Sequence, residues 1–112
     1  MRLGIIADGH GNLPALEAAL ADMRAHGVDR IVHMGDAIGI GPQPRETLCR
    51  LLEERDVTCL MGNHEEWFAY GLPDPRPEWM HQAEVDHHVW MHARLDEALR
   101  DAVAAFPWRL EL

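Results

Sequence analysis

Five polar side chains in three short segments have the types and the spacing of metal ligands and acid–base groups in a metal-dependent hydrolytic site. They are Asp8, His10, Asp36, Asn63 and His64. Asp8, Asp36 and His64 are separated by two intervals of 28 residues, and each segment directly follows a short apolar run. An apolar strand that ends in such residues places them at the carboxyl edge of a parallel sheet, where open α/β proteins bind ligands. Three such strand ends are expected to converge on one point.

Oxygen and imidazole ligands of this kind suit divalent ions such as Mn, Fe and Zn. Asp8 and His10, two residues apart at a strand end, can reach the same ion. Asp36 is the natural bridge to a second ion, to which Asn63 offers a carbonyl oxygen. His64 is then free for acid chemistry at a leaving oxygen. Two ions together activate water and hold a phosphoryl oxygen, so these residues predict phosphomonoester or phosphodiester hydrolysis by a metal-bound hydroxide.

Three apolar runs predict the strands that position these residues, at residues 3–7, 30–34 and 57–61. The first run is predicted to be buried on both faces of the sheet. A helix begins at the N-cap Asn12 and ends at Gly27, and a second helix runs from Pro44 to about residue 55. In chain order these elements form a βαβαβ unit with parallel strands.

Beyond His64 the pattern becomes helical, with a short helix over residues 65–70. A long helix is predicted from residue 78 to about residue 105, because apolar side chains recur on one face. Its predicted buried residues are Val85, Val89, Leu95, Leu99, Ala102 and Phe106. Pro107 ends this helix, and the alternation over residues 108–112 predicts the start of another strand. We expect residues 1–112 to form one domain that stops within an element.

The motifs resemble those of the calcineurin-like metallophosphoesterases. That family's pattern of Asp-x-His, Gly-Asp and Gly-Asn-His-Asp/Glu is met by residues 8–10, 35–36 and 62–65. The wider strings at residues 7–12 and 35–42 resemble the small bacterial branch of the superfamily. The resemblance implies an α/β/β/α sandwich with a dinuclear Mn, Fe or Zn site.

The same resemblance implies a role for each site residue. Asp8 and His10 bind the first ion, Asp36 bridges the two ions and Asn63 binds the second. His64 acts beside the leaving group. The expected cofactors are therefore two divalent metal ions, and the expected partner is a small phosphorylated substrate.

One part of the family's pattern is absent. The family completes its site with histidines on later strands, including a Gly-His-x-His segment, and this chain has no such segment. The resemblance therefore covers the N-terminal half of the family's domain, and we expect the domain to be truncated. An alternative function is a non-catalytic fragment or degenerate half-domain that binds metal weakly or acts as an interaction module. Its uncovered sheet face would favour homo-oligomers.

Further histidines cluster in the predicted long helix, at positions 81, 87, 88 and 92. His88 and His92 share a helix face at i, i+4 spacing, which can bind zinc. The Glu that a metalloprotease motif requires between them is absent, so we interpret the cluster as a solvated helix face near the pocket. His33, within a strand, is interpreted as a satisfied core histidine rather than a ligand.

Composition excludes several other classes of protein. The net charge of −9 argues against a nucleic-acid-binding surface, since phosphate contacts need clustered cations. All ten basic residues are Arg, which excludes a P-loop, and no G-x-G-x-x-G follows the first strand. No apolar run approaches the roughly 18 residues of a membrane span, and no signal-peptide pattern precedes the first strand. We therefore expect a cytoplasmic protein in which Cys49 and Cys59 are free thiols.

Overall fold

A three-stranded parallel sheet and five helices make up the computed structural model, which describes residues 1–112. The elements are β1 (Leu3–Ile6), α1 (Leu13–Ala25), β2 (Arg30–His33), α2 (Pro44–Leu52), β3 (Val57–Cys59), α3 (Asn63–Tyr70), α4 (Gln82–His92) and α5 (Glu97–Ala104). The strand order is β1-β2-β3, with Leu3 opposite Arg30 and Ile31 opposite Val57. The predicted βαβαβ unit is confirmed, although each strand ends before its predicted boundary.

The first helix begins and ends for the reasons that its sequence indicates. The Asn12 side-chain oxygen accepts a hydrogen bond from the Ala15 N–H at 3.1 Å, which satisfies one of the free donors of the first turn. Pro14 lies in that turn, where its missing N–H costs no hydrogen bond. Gly27 follows the helix with φ of +69°, a left-handed conformation that glycine adopts without strain.

The hydrophobic core lies between the sheet and the helices, on one face of the sheet. Alternation along β2 turns Ile31 and His33 toward this core, where both are almost fully buried. The helices cover them with a cluster that includes Leu16, Leu20, Leu48, Leu51, Phe68, Met91, Leu99 and Val103. This one-sided packing fixes the strand ends, and with them the loops that carry the polar motifs.

The opposite face of the sheet is only partly covered, so the prediction that β1 is buried on both faces is wrong. Ile5 is 60% exposed and Met34 is 49% exposed. No helix packs on this side. The segment at residues 108–112 instead borders a cavity of about 370 Å³ whose other walls are strand residues such as Leu3 and Leu60.

The predicted long helix is also wrong, because the structure divides it into α4 and α5. The chain leaves helical geometry after His92 and re-enters it at Glu97, where the Asp96 carboxylate accepts a hydrogen bond from the Leu99 N–H at 2.9 Å. Asp96 thus starts a new helix as its N-cap. The break changes the buried face: Leu95, Leu99 and Phe106 are buried as predicted, whereas Val89 is 66% exposed.

The strand predicted for residues 108–112 does not form. The Pro107 carbonyl accepts a hydrogen bond from the Met61 N–H at 2.9 Å, so the chain touches the edge of the sheet there. Proline has no N–H to return a second bond, and the following residues make no ladder. The two cysteines, Cys49 in α2 and Cys59 in β3, are free as expected. None of the five helices combines the length and apolarity that crossing a membrane requires.

Candidate metal centre

Backbone hydrogen bonds join the loops that follow β1 and β2. The N–H of Asp8 donates to the Gly35 carbonyl at 3.1 Å, and the N–H of His10 donates to the Asp36 carbonyl at 2.9 Å. The Gly11 N–H continues the series to Ala37 at 2.7 Å. These bonds fix the first two motifs relative to each other before any side chain is considered.

The paired loops bring three of the predicted ligands together. One ligand atom from each of Asp8, His10 and Asp36 lies within 4.8 Å of the others. His10 Nε2 and an Asp8 carboxylate oxygen are 3.7 Å apart. Two carboxylates and an imidazole, half-buried or exposed, form a donor set that suits a divalent ion. The residues present therefore fit the first ion that the sequence predicts.

The backbone of all three residues is left-handed. The φ angles are +57° for Asp8, +43° for His10 and +57° for Asp36, and Ile40 is the fourth non-glycine residue with a positive φ. A left-handed backbone costs a non-glycine residue roughly 1–2 kcal/mol. Strain of this kind collects at functional sites, where the surrounding structure imposes it. Three of the four non-glycine residues with a positive φ are therefore residues that the sequence predicts as metal ligands.

The orientation of His10 leaves one ring nitrogen available for a metal. Its Nδ1 lies 3.2 Å from the Ile38 carbonyl oxygen. Because a carbonyl can only accept, Nδ1 donates this hydrogen bond, and in the neutral ring the lone pair is then on Nε2. Metal-binding histidines are commonly held in this way by a backbone carbonyl.

The third motif forms the start of α3 and approaches the same place. The N–H of His64 donates to an Asp36 carboxylate oxygen at 3.0 Å. Asn63, one residue earlier, is exposed at the first position of the helix. The predicted role of Asn63 at a second ion stays a prediction.

Glu65 ties the second and third motifs together, a role that sequence reasoning did not assign. Its fully buried carboxylate accepts hydrogen bonds from the N–H groups of Asp36 at 2.5 Å and Gly62 at 3.1 Å, and from Ile38 at 3.4 Å. Burial raises the pKa of Glu65 to about 7, while these N–H donors oppose the shift. The signal in the sequence was Glu at the third position of a helix, where a capping side chain reaches back to the N-cap.

His64 lies buried among aromatic side chains rather than free in the site. Its ring centroid is 5.1 Å from that of His10 and 4.9 Å from that of Trp67. Its Nδ1 is 3.0 Å from His88 Nε2, so only its Nε2 is available for a substrate. Burial lowers the pKa of His64, and the nearby Asp36 carboxylate partly counteracts the effect.

The interpretation of the α4 histidines as a solvated face is wrong for His88, which is 1% exposed. Its neighbour His87 accepts a hydrogen bond from the Ile40 N–H, whereas His81 and His92 are exposed. The interpretation of His33 as a satisfied core histidine is confirmed in part: the ring is buried and its Nδ1 accepts from the Gly35 N–H at 3.2 Å, but its Nε2 is buried without a hydrogen-bond partner.

Comparison with known proteins agrees with this geometry. The sequence profile of the calcineurin-like phosphoesterase family, Metallophos, matches residues 1–105. The chain belongs to the calcineurin-like phosphoesterases. The fold of this family member matches the crystal structure of a metallophosphoesterase from Sphaerobacter thermophilus with a TM-score of 0.76 and 31% identity. It also matches the hypothetical protein PH1004 from Pyrococcus horikoshii OT3 with a TM-score of 0.76 and 21% identity, which supports the fold alone.

This phosphoesterase chain corresponds to part of each relative. The Sphaerobacter match covers 99% of this chain and 43% of the other, and the Pyrococcus match covers 94% and 47%. The uncharacterized protein MJ0912 of Methanocaldococcus jannaschii is 38% identical over 65 residues, which are 56% of this chain and 26% of that protein. Because these relatives include archaeal proteins, the resemblance extends beyond a bacterial branch.

Proposed function

We propose that this chain provides part of the ligand set of a dinuclear metal centre that hydrolyses a phosphomonoester or phosphodiester. The observation that carries the proposal is the convergence of Asp8, His10 and Asp36 within 4.8 Å at the ends of adjacent parallel strands. In the proposed site Asp8 and His10 would hold the first ion, Asp36 would be shared by both ions, and Asn63 would contribute to the second. When bound, the ions would supply Lewis acidity at the phosphoryl group and promote ionisation of the attacking water.

His64 is the proposed catalytic residue of this chain. Its backbone is tied to the Asp36 carboxylate, and one face of its ring borders a cavity of about 240 Å³ together with Ile40 and Glu84. His64 Nε2, the ring nitrogen that is not bonded to His88, would donate a proton or a hydrogen bond to the leaving oxygen. The proposed substrate class is a small phosphorylated compound.

Metal stoichiometry and turnover in two variants test this proposal. Wild-type protein is expected to bind two Mn²⁺ ions per chain and to hydrolyse bis(p-nitrophenyl) phosphate. Asp36→Asn should lose tight metal binding, because the bridging position would lose its negative charge. His64→Ala should retain the ions and lose about 10²–10⁴-fold in kcat, the usual contribution of a general acid.

Asp22→Asn is the matched control, since Asp22 is an exposed α1 residue whose only ion-pair partner is His26. It should behave as wild type in both assays. Full hydrolysis by Asp36→Asn in the presence of Mn²⁺ would contradict the bridging role. Mn, Fe and Zn all suit the ligands, so metal analysis of the purified protein should accompany the titration.

A second candidate function is a non-catalytic module that binds one ion weakly or associates with a partner. Exposed Ile5 and Met34 form an apolar surface that promotes association. This function predicts a single weakly bound ion, no turnover, and a homodimer in sedimentation experiments. The absence of lysine clusters and the net charge of −9 make a nucleic acid an unsuitable partner in either case.

We also propose a cytoplasmic location. Both cysteines are free, and Cys59 is buried in a strand, as is usual in a reducing compartment. Fractionation of the host cell tests this point.

A further inference from the structure

His88 makes one side-chain hydrogen bond, and that bond is to His64. It lies on α4 with 1% of its surface exposed, and its Nε2 is 3.0 Å from His64 Nδ1. The two rings are within 10° of parallel, with centroids 5.2 Å apart. The second nitrogen of His88, Nδ1, is buried without a partner. His88 is thus a buried polar residue, and its ring also lies against that of Trp67, with centroids 5.5 Å apart.

The unpartnered nitrogen decides which ring donates. A hydrogen bond between two neutral imidazoles needs one N–H and one lone pair. If His64 were the donor, the proton of His88 would lie on Nδ1, where a buried N–H would have no acceptor. If His88 is the donor, its Nδ1 holds only a lone pair, so the buried atom without a partner is an acceptor. A buried donor without a partner is rarer and costlier in proteins than such an acceptor, so His88 is assigned as the donor. Burial lowers the pKa of His88 to about 4, in keeping with a single proton on this ring.

The neighbouring residue holds α4 in place for this contact. His87 Nδ1 accepts from the Ile40 N–H at 3.2 Å, and His87 Nε2 donates to the Gly41 carbonyl at 3.0 Å. Both nitrogens of one ring are therefore bonded to the loop that follows Asp36. The same loop presses Gly39 against His64, because a Cβ on Gly39 would lie 2.1 Å from His64 Nδ1. The space around this nitrogen is filled by the glycine and by His88.

We propose that His88 is a positioning residue that donates from Nε2 to His64 Nδ1 and thereby holds His64 as its Nε2–H tautomer. In this tautomer the nitrogen on the far side of the His64 ring carries a proton that it can offer to a substrate oxygen. The catalytic consequence rests on the proposed phosphoester hydrolysis, whereas the tautomer assignment does not. Neither helix α4 nor its histidines belong to the three motifs that identified the site.

The tautomer can be measured directly by two-bond ¹H–¹⁵N correlation spectra of the histidine side chains. Metal-free and Zn²⁺-loaded protein should both show His64 protonated at Nε2 and unprotonated at Nδ1. His88→Met, which fills similar volume without a donor, should give a mixture of the two tautomers. His88→Gln, whose amide nitrogen occupies the place of Nε2, should restore the wild-type pattern. His81→Met, an exposed substitution next to the same helix, is the control and should change nothing.

Kinetics with two phosphodiesters supply a second measurement. His88→Met should lower kcat about 10-fold or more for an alkyl leaving group, which needs a proton, with KM little changed. It should have a smaller effect for a p-nitrophenyl leaving group, and His88→Gln should recover most of the loss.

A wild-type His64 protonated at Nδ1 would overturn the proposal without any variant being needed. So would a His64 tautomer that is unchanged in folded His88→Met protein, or equal kinetic losses for both leaving groups. If no phosphodiester or phosphomonoester is hydrolysed, the proposed function fails, and the tautomer spectra still decide the role of His88.

Discussion

Replacing Gly39 with alanine is expected to damage both stability and turnover through His64. Gly39 has φ of +83°, and an added Cβ would lie 2.1 Å from His64 Nδ1 and 2.5 Å from His64 Cγ. Ordinary contact begins near 3.4 Å, so the ring or the loop must move by more than about 1 Å. The ring cannot turn away freely, because Trp67 and His88 pack against it.

The expected magnitudes follow from these distances. A left-handed backbone strains alanine by about 1–3 kcal/mol, and the steric overlap adds about 1–3 kcal/mol. A 1 Å misplacement of a catalytic group can cost about 10²-fold in rate. Gly39→Ala should therefore lower the free energy of unfolding by about 2–6 kcal/mol and kcat by about 10²-fold, with Mn²⁺ affinity near that of wild type.

Gly71→Ala separates the two effects. Gly71 follows α3 with φ of +103°, and a Cβ there would meet no atom within 4 Å. It should carry the backbone strain alone and leave kcat unchanged. Urea denaturation gives the stability of both variants, and hydrolysis of bis(p-nitrophenyl) phosphate gives kcat. The reasoning is refuted if Gly39→Ala matches Gly71→Ala in stability and retains wild-type kcat.

Two further predictions concern buried titratable groups. Burial lowers the pKa of His33 to about 4, so between pH 6.5 and 4 the unfolded chain binds a proton that the folded chain does not. The free energy of unfolding should therefore fall as the pH is lowered through this range, by up to about 3 kcal/mol from His33. Urea denaturation at pH 7 and 5 should show a smaller fall in the free energy of unfolding for His33→Asn than for wild type. An equal fall in both proteins would contradict this account. Burial also raises the pKa of the Cys59 thiol to about 12, so Cys59 should react slowly with iodoacetamide at pH 8. Only the half-exposed Cys49 should be modified until urea unfolds the protein. Rapid modification of both cysteines in the folded protein, detected by mass spectrometry, would contradict this prediction.

The parts of the fold that the sequence predicted are those with local signals. Each apolar run before a polar motif formed a strand, and Asn12 capped the helix at which it was expected. The prediction of one long C-terminal helix was wrong because the apolar positions recur at helical spacing across the break at Asp96. Periodicity alone did not reveal that the Asp96 carboxylate would satisfy the start of a new helix.

The candidate site was predictable for a similar reason. Parallel strands in sequence order bring their carboxyl ends to one edge, so the motifs that follow β1 and β2 had to meet. The structure brings Asp8, His10 and Asp36 within 4.8 Å, and His64 contacts Asp36 through its N–H. The roles of Asn63 and His64 toward metal and substrate stay predictions.

The sequence by itself determined the family, the βαβαβ order and the chemical types of the site residues, because these depend on short motifs next to apolar runs. Only the tertiary structure decided what surrounds them. Glu65 became a buried acceptor for three N–H groups, and His88 became the partner of His64, since helices α3 and α4 pack where no local pattern places them. Burial against a distant element is set by the whole fold, so the hydrogen-bond partner of His64 Nδ1 is a residue 24 positions away in the sequence.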